Sequence, residues 1–60
     1  MILEKIEKLC KEKGINISTL EKECQIGNGT ISRWDKSLPR LDNLKKVAHY
    51  FAVSVEYFLE

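Results

Sequence analysis

The chain has 60 residues and a mass of 7.0 kDa, which is room for one small domain, residues 1–60, and no second. A chain of this size buries only about 60% of its unfolded surface, which argues against an enclosing catalytic pocket and for flat recognition of a large partner. Hydrophobic residues at 43% and charged residues at 32% exclude a disordered chain, and a net charge of +1 does not by itself point to nucleic acid.

The hydrophobic spacing is helical throughout. Ile2, Ile6, Leu9 and Cys10 form one stripe of a helix over 2–13, stopped by Gly14, with charged residues on the opposite face. Asn16 is an N-cap for a second helix over 17–24, and Ile15 with Leu20 has the spacing of a hydrophobic staple. Ile26 and Ile31 repeat that spacing around Gly27, predicting a third helix over 28–35 with Gly27 as its cap. The short link between the second and third helices forces a steep crossing, the helix-turn-helix unit. After a loop marked by Ser37 and Pro39, Leu41, Leu44, Val47, Ala48 and Phe51 predict a fourth helix over 41–51. Ser54 caps a fifth over 55–59, with Val53 and Phe58 as its staple. The fold class is therefore all-α, with five short helices.

Divided by segment, the charge is uneven. Residues 1–26 balance five lysines against five acidic residues. Residues 27–46 carry Arg33, Lys36, Arg40, Lys45 and Lys46 against Asp35 and Asp42, net +3; the remainder holds only Glu56 and Glu60. The positive charge thus sits on the third helix and the loop after it, the local field that phosphate binding needs.

Four stretches resemble the lambda-repressor-like, Cro/Xre-type helix-turn-helix family over essentially the whole chain: Gly14-Ile-Asn-Ile-Ser-Thr-Leu20, Ile26-Gly-Asn-Gly-Thr-Ile-Ser-Arg-Trp-Asp35, Leu41-Asp-Asn-Leu-Lys-Lys-Val-Ala48 and Val53-Ser-Val-Glu-Tyr-Phe-Leu59. The resemblance implies a five-helix domain, a transcriptional regulator of phage or bacterial type, and a dimer on palindromic double-stranded operator DNA. On a third helix starting at Asn28, Ile31 and Trp34 face the core, and Asn28, Gly29, Ser32 and Arg33 face outward. Asn pairs bidentately with adenine and Arg with guanine in the major groove, so Asn28, Ser32 and Arg33 are the expected base contacts. Asn16 and Ser18 at the second helix, the backbone at Gly29, and Lys36, Ser37 and Arg40 are the expected phosphate contacts. Arg40, directly after Pro39, is also placed to reach over a narrow minor groove.

The chain departs from the family pattern at several points. Ile17 stands where a phosphate-clamping Gln is common. Glu21 replaces a small Ala on the inner side of the second helix and must turn outward or find a partner. Gln25 stands where Gly often closes that helix, and Arg40 where Ser often caps the fourth. Cys10 and Asp35 occupy the positions of a family Arg–Glu bridge.

Cys10 and Cys24 read as buried, reduced thiols of a cytoplasmic protein, and with His49 they lack the spacing of a metal site. No catalytic constellation, cofactor motif or membrane-spanning run is present in the sequence. The rival to DNA binding is a protein-interaction module, an antitoxin or adaptor on the same scaffold, for which Tyr57 and Leu59 offer an apolar edge. A single module needs a second half-site, which favours a longer parent chain over a minimal regulator.

Overall fold

A computed structural model describes residues 2–60. Four α-helices appear in chain order: α1 (Ile2–Lys13), α2 (Ile17–Glu23), α3 (Leu41–Phe51) and α4 (Val55–Leu59). Between α2 and α3 lies a single 3-10 segment, Ile31–Asp35, and the described residues contain no strand. The all-α class therefore stands, with four α-helices and a 3-10 segment in place of five α-helices.

The third element departs most from its sequence reading. The predicted α-helix over 28–35 begins only at Ile31 and is wound as a 3-10 helix, while residues 28–30 form a turn. Gly29 is the physical reason. Its φ of +85° lies outside the right-handed helical region and ends any helix that includes it. Gly27 supplies no side-chain cap. Instead its carbonyl accepts from Thr30 N–H at 3.1 Å, and the Thr30 carbonyl accepts from Arg33 N–H at 3.2 Å.

The two expected side-chain caps are present. Asn16 Oδ1 accepts from Thr19 N–H at 2.8 Å, and Ser54 Oγ from Tyr57 N–H at 3.3 Å. The helix ends follow one rule three times. Ile15 N–H donates to the Cys10 carbonyl, Ile26 N–H to Glu21 and Val53 N–H to Ala48, at 2.9, 2.8 and 3.0 Å. Each bond spans a left-handed residue, Gly14 (φ 79°), Gln25 (φ 59°) or Ala52 (φ 58°), which makes each end a Schellman motif. The apolar residue that closes one helix is also the one that precedes the next cap.

All five elements meet in one core. Phe58, Ile6, Leu20, Ile31 and Val47 are its fully buried side chains, one from each element. Cys10, Cys24, Ile26, Trp34, Leu44 and Ala48 complete it. Leu41, expected on the core stripe of α3, instead stands 58% exposed at the first turn of that helix. α1 is the central strut, packing against α2, the 3-10 segment and α4. Lys5, expected on a solvated face, ties α1 to α4: its Nζ donates to the carbonyls of Tyr57 at 2.8 Å and Glu60 at 2.6 Å, over the Tyr57 ring. The Cα body measures 23 × 21 × 17 Å. A body of that size can lay one element into a groove about 12 Å wide, the width of the B-DNA major groove.

Candidate nucleic-acid interface

The candidate interface is built from α2, the turn after it and the 3-10 segment. A 3-10 helix has three residues per turn, so side chains at i and i+3 lie one above the other. Ile31 and Trp34, at 0% and 6% exposure, therefore share the inward face. The same geometry puts Ser32 and Asp35 on one outer row; Arg33, and Lys36 just past the segment, are exposed as well. Asn28 is exposed in the turn before the segment rather than on a helical face with Ser32 and Arg33. The structure thus keeps Asn28, Ser32 and Arg33 exposed on one short stretch but splits it between a turn and a 3-10 segment.

Glu21 holds this stretch in place. It is the one buried charged residue among those described, 3% exposed. Its Oε1 accepts from Gly29 N–H at 3.1 Å and its Oε2 from Ile31 N–H at 2.9 Å. Burying a carboxylate is costly unless its oxygens are matched, and here both are. The alternative of an outward Glu21 is thereby settled in favour of a partner. The sequence signal was a cap position, Gly27, with no acceptor of its own and a carboxylate one turn before the end of α2.

The expected phosphate contacts are placed unequally. Asn16 and Ser18 are exposed at the start of α2, with the Asn16 carboxamide oxygen engaged as a cap and its nitrogen outside that bond. Gly29 has its N–H taken by Glu21, which leaves close approach, not phosphate donation, as its contribution. Ser37 donates both its N–H, at 3.1 Å, and its hydroxyl, at 3.2 Å, to the Arg33 carbonyl, so a phosphate contact requires the hydroxyl to turn. Lys36 is exposed beside Trp34 and Leu38 along a shallow groove that also includes Ile2. Arg40 is 82% exposed over its side chain, with Nε 3.4 Å from Asp42 Oδ1. A surface pair of this kind contributes little and yields readily to a phosphate. Arg40 makes no side-chain cap for α3, as expected from the lost Ser.

Cys10 and Cys24 are free and buried, and Cys24 Sγ, at the end of α2, lies 3.9 Å from the Lys46 carbonyl. Burial pushes both thiols up from their ordinary value, with each helped by a nearby negative group. Asp35 is exposed while Cys10 is buried in the core, so the two side chains do not pair. Among the described residues no group of His, Cys, Asp or Glu could hold a metal ion, and no helix is long and apolar enough to cross a membrane.

A family model described as helix-turn-helix matches residues 6–58, nearly the whole chain and all of α2, the turn and the 3-10 segment. The chain belongs to the Cro/C1-type helix-turn-helix family. Neither the curated proteins nor the solved structures give a match. The family is one of DNA-binding regulatory domains rather than enzymes. In this helix-turn-helix domain, α2 and the 3-10 segment are the two helical arms, joined by residues 24–30.

Proposed function

We propose that this domain is a sequence-specific double-stranded DNA-binding transcriptional regulator, a phage- or bacterial-type repressor acting in the cytoplasm. It reads one operator half-site through the major groove with residues 28–33. The observation that carries this reading is a short stretch on which Ser32, Arg33 and Lys36 are exposed, backed by the buried Ile31 and Trp34. Asn28, Ser32 and Arg33 address base edges. Asn16, Ser18, Lys36 and Arg40 address phosphates, with Ser37 joining them if its hydroxyl turns and Gly29 admitting the backbone closely. One module covers one half-site, so a palindromic site brings a second copy, a homodimer on DNA.

Selection of duplexes from a random pool, followed by titration at several salt concentrations, tests the reading. The affinity should fall with salt at a log–log slope of about −0.9 per phosphate contact. Lys36→Ala should weaken all duplexes about equally and reduce that slope by about one contact, whereas Arg33→Ala should lose about 1–3 kcal/mol of discrimination at one base position. Leu38, 85% exposed, and Leu41, 58% exposed, favour a second reading in which this edge takes a protein partner as an antitoxin or adaptor does. No duplex affinity, or one indifferent to salt, decides for that second reading.

A further inference from the structure

Resting on the DNA reading, we propose that Glu21 is a positioning residue for sequence discrimination: its buried carboxylate fixes the angle at which residues 28–33 are presented to base edges. The third element is five residues of 3-10 helix, too short to hold its own direction. Thr30, at its start, makes no side-chain cap. The turn before it contains Gly29 at φ +85°, where nothing lies within 4 Å of the place a Cβ would take. Ile31 anchors the segment in the core, but no local side-chain cap satisfies the amides at its entry.

Glu21 does so from another element. One carboxylate oxygen takes the Gly29 N–H and the other takes the Ile31 N–H. The two bonds bracket Thr30. Asn28 immediately precedes the first bonded residue, and Ser32 and Arg33 immediately follow the second. Because Glu21 projects from α2, the same two bonds set the segment's orientation relative to the arm bearing Ser18. A carboxylate has acceptors on both oxygens, which is what two converging donors require. A carboxamide of identical shape offers one oxygen and an NH2 group that opposes the second N–H.

The consequence is a separation of specific from non-specific affinity. Phosphate contacts tolerate a tilt of the segment, since they read charge; bidentate base contacts do not. Glu21→Gln and Glu21→Ala should each reduce the preference for the selected duplex over a scrambled duplex of equal length by tenfold or more. Affinity for the scrambled duplex should stay within about twofold. In amide spectra of the free protein, the Gly29 and Ile31 resonances should move in both variants and lose hydrogen-exchange protection. A merely structural role predicts otherwise: both affinities fall by one common factor, and that result overturns the proposal. Full discrimination retained in both variants overturns it too.

If neither variant folds, the native protein decides. Gly29 and Ile31 amides protected as strongly as core amides support the bracket, and free exchange at either overturns it. A native chain that binds no duplex removes the DNA reading and with it the role in discrimination. The amide measurements then still report whether the carboxylate holds the segment, so the two failures are distinguishable.

Discussion

Gly14, Gln25 and Ala52 occupy equivalent left-handed positions at the ends of α1, α2 and α3, yet only the first is glycine. A residue with a Cβ is disfavoured there by about 1–2 kcal/mol, partly offset by the greater freedom that glycine has in the unfolded chain. Gln25→Gly and Ala52→Gly should each stabilise the domain by about 0.5–1 kcal/mol, and Gly14→Ala should destabilise it by a similar amount. Thermal unfolding checks this, since about 1 kcal/mol moves the midpoint by roughly 4–8 °C in a domain of this size. The titrating residues make a second prediction. The Tyr50 hydroxyl donates to Glu23 Oε1 at 2.7 Å, and that bond, then burial and the nearby Glu23 charge, push its pKa up from 10.0 to about 12. Cys10 and Cys24 are likewise held above the ordinary thiol value of 9.0, chiefly by burial. All three groups keep their protons longer folded than unfolded. Their stabilising contribution is complete below pH 9, and declines as pH rises, first through the thiols and then between pH 10 and 12 through Tyr50. Denaturant midpoints measured from pH 7 upward should fall only on the alkaline side; a midpoint flat to pH 11 contradicts the assignment.

The elements differ in how they are terminated, and the terminations show what was legible in advance. Asn16 and Ser54 announce the starts of α2 and α4 because a capping side chain lies adjacent in sequence to the groups it satisfies. The start of the third element was misread because its acceptor is Glu21, eight and ten positions away from the amides it serves. Lys5, binding the end of α4, was missed for the same reason at a separation of 52. The outward set of Asn28, Ser32 and Arg33 is readable from composition and spacing, but the 3-10 winding of residues 31–35 is not, since no local pattern marks it. Lys5→Met keeps the aliphatic stem and removes the ammonium; it should cost about 1 kcal/mol, a charged hydrogen bond discounted for partial exposure, measured by urea unfolding. At α3 the balance runs the other way. Arg40→Ser should supply the missing cap and stabilise the domain by about 1 kcal/mol. It should also weaken binding to every duplex alike, so stability and affinity measured on one variant should move in opposite directions.

For the molecule as a whole, a core with one fully buried residue from each element makes the elements interdependent. A 60-residue domain has a total stability of roughly 3–9 kcal/mol at ordinary values per residue. Ile31→Ala should cost about 2–5 kcal/mol and Phe58→Ala about 3–5, enough to bring either variant near its unfolding midpoint without denaturant. Trp34, the single tryptophan, sits in the 3-10 segment at 6% exposure, so its fluorescence reports on the element nearest the proposed groove. Fluorescence and helical circular dichroism should give coincident unfolding curves. An early loss of the tryptophan signal would show that the reading segment detaches first.

The shared residues at the helix ends also decide where this chain can change length. Ile15, Ile26 and Val53 each finish one element through a backbone bond and begin the next through side-chain packing, so a residue inserted beside any of them breaks two agreements at once. Residues 38–39 carry no such double duty and have no regular structure. A graft, a tag or a new pair of chain ends belongs there, ahead of Arg40, whose carbonyl accepts the Leu44 N–H at the start of α3.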